Sequence, residues 1–193
     1  MSILKVREAN IDDAADIARL VNAAYRPQSG TEGWTHESLI VSGERANAVQ
    51  VADALEKTTV LVGLYGAEIV ACVQIERNGA DAYIGMLAVA PKLQTAGLGK
   101  AMLQEAEFYA ETTLGAQQFV LVVIKARTEL VQFYRRRGYE ETGETLPYPI
   151  NSGVGTPRKE DLELIVLHKR SNLLLNPDTR QELAAPRQLS RAC

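Results

Sequence analysis

Two glycines at the start of a helical segment, Gly97 and Gly99, are the residues whose spacing first suggests chemistry. They follow an apolar, β-prone run that stops at Pro91. A strand, a tight turn and a helix N-terminus form an anion site, because free N–H groups point outward and the helix dipole adds partial positive charge. Glycine lets an anion approach the backbone, since no Cβ blocks it. The pattern therefore predicts an anion-binding turn, with a ligand-free turn as the alternative.

Three phosphate-binding patterns can be compared with this stretch. A P-loop, G-x-x-x-x-G-K-[ST], requires Gly where Gln94 stands and Ser or Thr where Ala101 stands. A dinucleotide fingerprint, G-x-G-x-x-G, fits Gly97 and Gly99 but has Met102 in place of its third glycine, and it should follow a first strand rather than a fourth. The third pattern, [QR]-x-x-G-x-[GA], fits completely from Gln94 to Gly99.

This third pattern is the pyrophosphate loop of the GNAT superfamily of acyl-CoA-dependent N-acyltransferases, and the sequence resembles that family. "MLAVAPKLQTAGLGKAML" is similar to the family's strand, proline-containing connector, loop and helix, in that order. "ELVQFYRRRGYEETG" looks like its second hallmark, a helix carrying Phe-Tyr followed by a Gly-aromatic pair. The resemblance covers roughly residues 3–169 and implies an N-acetyltransferase with acetyl-CoA as co-substrate and no metal.

The resemblance also implies which residues hold the cofactor. Backbone amides of residues 94–99 and of the following helix would cradle the pyrophosphate, and the pantetheine arm would pair with Leu87 and Val89 like an added strand. Arg127 stands where many family members carry an Asn that helps to hold the cofactor arm. The cofactor-binding candidates are Leu87, Ala88, Val89, Gln94, Thr95, Ala96, Gly97, Leu98, Gly99, Lys100 and Arg127.

Direct attack of a neutral amine on the thioester carbonyl requires three things. A backbone N–H near Leu87 is expected to stabilise the oxyanion. The departing thiolate needs a proton, and Tyr134 stands where family members carry that general acid. The amine must lose its proton, and the base is open: Tyr83 is at about the position of a carboxylate found in some family members. The alternatives are Glu76, His36, Glu37 and a chain of water molecules.

The acceptor pocket is expected between residues 25–47 and 146–158. Trp34, the only tryptophan, could form an aromatic floor for an amine or pack as the anchor of a loop. Arg26 and Arg45 could hold a substrate carboxylate or be solvated. The candidates for contacting the acceptor are Trp34, His36, Glu76 and Tyr83. Nothing in the sequence identifies this acceptor, which we expect to be a primary amine on a small molecule, an amino acid or a peptide.

Hydrophobic periodicity predicts the elements that must position these residues. Strands are predicted over residues 4–8, 58–65, 68–77, 82–90, 119–124, 139–143 and 162–169, and helices over about 12–25, 35–42, 47–55, 97–114 and 128–138. Asn78-Gly79 is a strong hairpin signal, so three consecutive antiparallel strands are expected. With the resemblance, this predicts a three-layer α/β (α+β) fold with about seven mostly antiparallel strands, splayed between the fourth and the fifth.

Composition narrows the class of protein. The 193 residues suffice for one domain, expected over residues 1–170, with a tail over 171–193 that could hold one short helix. The net charge of −3 gives no basic field for a nucleic acid. Two cysteines without a CxxC pattern argue against a disulfide framework. No signal peptide is seen, and no apolar stretch approaches the ~18 residues of a membrane span. We therefore expect a cytoplasmic protein, and a homodimer stays open.

Two rival functions remain at this point. A CoA-binding sensor or interaction module could keep the fold without catalysis, but Tyr134 argues against it, since such a binder needs no acid at the sulfur. A protein-lysine acetyltransferase would favour an acidic, open groove, which a sequence cannot show. An amine panel that follows release of the CoA thiol separates catalysis from binding alone.

Overall fold

The computed structural model describes residues 4–27, 33, 35–150 and 152–172. The strands are β1 (Lys5–Glu8), β2 (Val41–Ser42), β3 (Thr59–Tyr65), β4 (Glu68–Asn78), β5 (Asp81–Val89), β6 (Gln118–Ile124), β7 (Glu140–Pro147), β8 (Thr156–Pro157) and β9 (Glu163–Arg170). The α-helices are α1 (Ala14–Tyr25), α2 (Ala48–Lys57), α3 (Leu98–Thr112) and α4 (Thr128–Arg135). None of the helices in these described ranges is long and apolar enough to cross a membrane.

Seven strands form one sheet in the order β1-β3-β4-β5-β6-β9-β7, while β2 and β8 pair with each other. Neighbouring strands are antiparallel except β5 and β6, which are parallel. This is the mostly antiparallel α/β architecture predicted from the sequence, with the short β2–β8 pair added to it.

The helices cover both faces of the sheet because each presents one apolar stripe. On one face, α1 and α2 bury a cluster with β3 and β4 that includes Ile17, Val21 and Val51. On the other face, α3 and α4 bury a larger cluster that includes Met102 and Tyr134. Local signals define where helices begin: Asn47 and Gln50 form a reciprocal capping box at the start of α2.

The sheet splays between β5 and β6, as predicted. These strands pair only at Asp81–Gln118, Ala82–Phe119 and Tyr83–Val120, after which β5 continues along β4 to Val89 and β6 continues along β9 to Ile124. Beyond Tyr83 the two strands diverge, so the facing backbone groups of their second halves have no strand between them.

A bulge in β5 lies next to this gap. Cys72 pairs with Ala88 and Gln74 with Gly85, so Met86 and Leu87 stand opposite one residue of β4. Met86 has a φ of 48°, a left-handed conformation that non-glycine residues rarely adopt. The extra residue turns the strand locally and sets the direction of the Leu87 backbone.

The prediction of a helix over residues 35–42 is wrong. The segment forms one turn, in which the Ile40 and Val41 amides both donate to the Glu37 carbonyl, and then becomes β2. Pairing with Thr156 and Pro157, more than 100 residues along the chain, outweighs the local helical spacing. The short helix predicted near residue 176 lies outside the described residues, as does the tail from residue 173 onward.

Candidate active site

The turn before α3 has the geometry of an anion site. Gly97 caps the helix with a φ of 81°, and a Cβ built there would meet only open space. The Ala101 amide donates to the Gly97 carbonyl at 3.1 Å, so the amides of Leu98, Gly99 and Lys100 precede the first hydrogen bond within the helix. These donors therefore remain for a ligand.

A cavity of about 370 Å³ opens beside this turn, and we call it the donor-side cavity because the sequence predicts acetyl-CoA there. Its floor is β5 at Leu87 and Val89, and α4 forms its opposite wall. Four cationic residues line it: Lys100, Arg127, Arg136 and Arg137. Positive charge beside free backbone amides suits a ligand with several phosphates.

Arg137 is the most unusual of these cations. Its guanidinium lies 3.4 Å from the centre of the Phe133 ring and donates to the Phe133 carbonyl at 2.5 Å. Burial lowers the pKa of Arg137. Its Nε atom is buried and, within the described part of the chain, has no hydrogen-bond partner. An orphaned donor in the wall of a basic cavity fits an anionic ligand.

Two side chains occupy backbone carbonyls of β5 in the splay. The Tyr25 hydroxyl donates to the Leu87 carbonyl at 3.1 Å, and the Gln94 amide donates to the Val89 carbonyl at 3.3 Å. Ala88, between them, pairs with Cys72 of β4. In a regular strand the N–H and C=O of one residue point the same way, so we expect the amides of Leu87 and Val89 to face the splay as well.

An acceptor-side cavity of about 240 Å³ lies on the other side of the splay. Strands β5 and β6 form its floor, and Tyr148, Pro149 and Val154 close it from the β7–β8 connection. The two cavities share five lining residues, which are Tyr25, Leu87, Arg127, Leu130 and Tyr134. The two cavities therefore meet at the diverging strands.

Tyr134 lies at this meeting point. The residue is 5% exposed, and its ring makes edge contacts with Phe133 and Tyr139 at centroid distances of 5.2 and 5.8 Å. Burial raises the pKa of the Tyr134 phenol well above its usual value, with the Tyr25 hydroxyl adding to the effect and Arg127 opposing it. The phenol therefore stays protonated at neutral pH and can act as a proton donor.

A buried ion-pair network supports the acceptor side. Glu37 accepts from Arg26 at 2.5 Å and lies 3.6 Å from Arg127, and the side chains of all three residues are 5–6% exposed. Arg127 also donates to Thr35, and Arg26 donates to the carbonyls of Gly43 and Val154. The network joins the end of α1, the segment before β2 and the start of α4, so Arg127 is a positioned residue of the site.

The predicted site residues are only partly brought together. Of the cofactor-binding candidates, Ala96 and Leu98 do not line the donor-side cavity, and the Leu98 side chain is in the core. The Nδ1 atom of His36 lies 2.8 Å from the Ser38 hydroxyl. Glu76 and Tyr83 pair across β4 and β5 before the splay, and both are exposed. His36, Glu76 and Tyr83 line neither cavity, and Trp34 lies outside the described residues.

Several lining residues were not singled out from the sequence. Arginines near the end of a helix are explained by the helix dipole alone, yet Arg136 and Arg137 line the donor-side cavity. Tyr25 was placed only as the end of a helix. A tyrosine at the end of an amphipathic helix was the available signal, but its target, Leu87, is 62 residues away.

Comparisons with known proteins agree with this geometry. The sequence model of the acetyltransferase (GNAT) domain matches residues 30–147, more than half of the chain. No curated protein matches the chain by sequence. This match shows that the chain contains an acetyltransferase domain. It belongs to the GNAT acetyltransferase family.

Solved structures share the fold at low sequence identity. The ribosomal-protein-S18-alanine N-acetyltransferase from Escherichia coli is 14% identical over 88% of this chain and 94% of its own, with a TM-score of 0.65. The PaiA N-acetyltransferase from Thermoplasma acidophilum, in complex with coenzyme A, is 14% identical over 87% and 99%, with a TM-score of 0.67. A GNAT family acetyltransferase from Elizabethkingia anophelis with acetyl-CoA bound is 15% identical over 86% and 97%, with a TM-score of 0.58.

Proposed function

We propose that this protein transfers an acetyl group from acetyl-CoA to a primary amine of a small molecule, an amino acid or a peptide. The observation that carries the proposal is the junction of the two cavities at Leu87 and Tyr134. A donor on one side of the splay and an acceptor on the other can react only where the cavities meet. That position has a buried phenol and an inward-facing backbone amide.

The residues of the donor side fit acetyl-CoA. The free amides at the start of α3 suit its pyrophosphate, and Lys100, Arg136 and Arg137 add positive charge around it. The amides of Leu87 and Val89 suit carbonyl acceptors of the pantetheine arm, which would take the place of a strand. Two of the solved relatives carry coenzyme A or acetyl-CoA, which supports the same assignment here.

Two of the three chemical requirements of the transfer, the oxyanion donor and the acid, have a residue in this arrangement. The Leu87 amide stabilises the negative charge that develops on the carbonyl oxygen when the amine attacks. The Tyr134 hydroxyl donates its proton to the sulfur as the carbon–sulfur bond breaks. A carbon–nitrogen bond forms as the carbon–sulfur bond breaks. The attacking nitrogen loses one proton to water, and water returns one proton to the Tyr134 phenolate, which regenerates the neutral phenol.

The amine arrives neutral without a dedicated base among the described lining residues. One carboxylate, Glu37, lines the acceptor-side cavity, and Arg26 and Arg127 already bind it. Arg45 and Arg127 place positive charge in the wall. Positive charge and desolvation both disfavour an ammonium group, so the site lowers the pKa of a bound amine.

The test is acetyl transfer by the purified protein with acetyl-CoA and a broad panel of primary amines. We expect release of free thiol together with an acetylated product identified by mass spectrometry. Calorimetry of acetyl-CoA binding runs in parallel. Binding without thiol release across small amines, amino acids and peptides would overturn the catalytic proposal and leave a CoA-binding protein.

A further inference from the structure

We infer that the acceptor is a small amino acid whose carboxylate binds Arg45 and whose side chain is apolar. The inference deepens the proposed function and rests on it. It starts from the charges around the acceptor-side cavity, which contains more guanidinium groups than carboxylates. The partner that would balance them is an anionic group on the acceptor.

The position of Arg45 is fixed by its backbone. The Asn22 side chain accepts from the Arg45 amide at 2.7 Å and donates to the Ala46 carbonyl at 2.7 Å. The Arg45 guanidinium lies 5.5 Å from the centre of the Tyr25 ring, in the wall of the cavity. Stacking on an aromatic face orients the planar guanidinium while leaving its N–H edge available.

The other two arginines of this region are already satisfied. Arg26 binds Glu37 and the main-chain carbonyls of Gly43 and Val154. Arg127 binds Thr35 and lies within ion-pair distance of Glu37. Across the described ranges, Arg45 has no such hydrogen bond or carboxylate at its guanidinium. A carboxylate entering the cavity would meet an oriented, partly desolvated donor, the arrangement in which arginine binds such groups most strongly.

The remaining lining limits the rest of the acceptor. Aliphatic side chains of Ile84, Val123 and Leu164 line the cavity together with the Tyr148 ring. About 240 Å³ holds a molecule the size of a single amino acid. An apolar side chain would contact this lining, while the amine reaches the junction at Tyr134.

The same charges disfavour other acceptor classes. A diamine or a lysine side chain would bring a second positive charge or a long stem, and the only lining carboxylate in the described chain, Glu37, is already paired. A peptide N-terminus carries an amide where a free amino acid carries its carboxylate. Each of these acceptors would leave the Arg45 guanidinium without a carboxylate partner.

The experiment compares matched acceptors. Alanine, valine, leucine, methionine and phenylalanine are each supplied as the free acid, as the amide and as the decarboxylated amine, with saturating acetyl-CoA. We expect at least one free acid to have a kcat/KM about tenfold or more above its amide and its amine, the effect of one charge-assisted hydrogen bond. Arg45→Gln should raise the KM for that acid by a similar factor with kcat little changed, which marks loss of binding.

Two further variants complete the test. Arg45→Lys keeps a positive charge and should recover part of the lost affinity. Arg19→Gln makes the same change on the exposed side of α1, where the side chain is 74% exposed, and should leave all parameters unaltered. Transfer to amines or amides with no preference for any free acid overturns this inference but not the proposed function. When no acceptor releases thiol, calorimetry on the CoA-loaded protein decides: free acids that fail to bind, or bind Arg45→Gln equally well, overturn the inference.

Discussion

At the scale of single residues, Tyr134 has the burial and the protonation state that the proposed acid requires. Its hydroxyl is buried where the two cavities meet, and burial keeps the pKa of the phenol above the usual value of about 10. A raised pKa weakens the acid but guarantees that the proton is present. In the proposed mechanism, transfer to the thiolate is driven by the charge that develops on sulfur as the bond breaks.

Replacement of Tyr134 by phenylalanine should remove this proton and little else. The ring contacts with Phe133 and Tyr139 remain, so the thermal stability and the affinity for acetyl-CoA should change little. We expect kcat to fall at least tenfold, since general acid catalysis is typically worth about 10²–10⁴-fold. Steady-state kinetics with a saturating acceptor measure this, with Tyr65→Phe on β3 as the matched control. A Tyr134→Phe enzyme with the wild-type rate would mean that water protonates the thiolate.

The pH dependence of kcat/KM, measured on the wild-type enzyme, should reflect the raised pKa of Tyr134. The rate rises with pH as the acceptor ammonium loses its proton. Because burial raises the pKa of Tyr134, its ionisation should cause no fall in kcat/KM below about pH 10.

At the scale of elements, the turn before α3 combines two requirements, an open backbone and a helix end. A substitution at Gly99 changes the anion site without straining the helix end. Its φ is not left-handed, and an added Cβ would make ordinary contacts, 3.7 Å from the Phe133 ring and 3.8 Å from Val89. Gly97 is less suitable, since its φ of 81° strains any other residue. Substitutions at Gly99 therefore test the ligand rather than the fold.

Gly99→Glu should weaken acetyl-CoA binding more than Gly99→Gln does. The two side chains have nearly the same volume, but only the carboxylate repels phosphates beside the helix N-terminus. We expect a difference of about tenfold or more in Kd by calorimetry at low salt, shrinking as salt screens the charges. Equal affinities in the two variants would mean that no anion binds at this turn.

The elements of the site differ in how far the sequence predicts them. The turn at 94–99 was predictable because its glycines, the preceding strand and the following helix are contiguous. The Tyr25–Leu87 bond and the Arg26–Glu37–Arg127 network were not, because each joins segments that only the tertiary fold brings together. The helix wrongly predicted over 35–42 has the same cause: Glu37 is held from two sides, and β2 pairs with a distant strand.

At the scale of the whole molecule, the burial of a neutral thiol and of neutral phenols should make the free energy of unfolding fall at alkaline pH. Burial raises the pKa of the Cys72 thiol to about 12 and the pKa values of Tyr134 and Tyr139 as well. The unfolded chain loses the thiol proton near pH ~8.5, so the stabilisation is complete below that pH and is lost as pH rises towards about 12. The tyrosines add to the loss above about pH 10.

Urea unfolding followed by circular dichroism between about pH 7 and 11 should show this loss. In the window from about pH 8.5 to 10, where the thiol acts before the tyrosines, Cys72→Ala should lose stability with pH less steeply than the wild type, by up to ~1.4 kcal/mol per pH unit. The slope is compared rather than the absolute free energy of unfolding, because the smaller side chain also leaves a cavity. Equal slopes in both proteins would show that the thiol is ionised to the same extent in both states.

Most of the fold followed from periodicity because the seven long strands and the four α-helices have strong local patterns. Periodicity alone did not predict the topology. The splay between β5 and β6 was predicted from the family resemblance, because two strands that pair over only three residues leave no recognisable pattern in the sequence.

The splay gives this protein an internal sheet edge, and that edge is occupied asymmetrically. Exposed strand edges recruit other strands and lead to aggregation, because they present donors and acceptors together. Here Tyr25 and Gln94 bind the carbonyls of Leu87 and Val89, and we expect the amides of the same residues to face the gap. A foreign β-strand needs both kinds of group and would have to displace the side chains of Tyr25 and Gln94. A ligand that offers carbonyl acceptors needs only the amides. The same two hydrogen bonds therefore leave the gap suited to such a ligand and make it a poor template for misassembly.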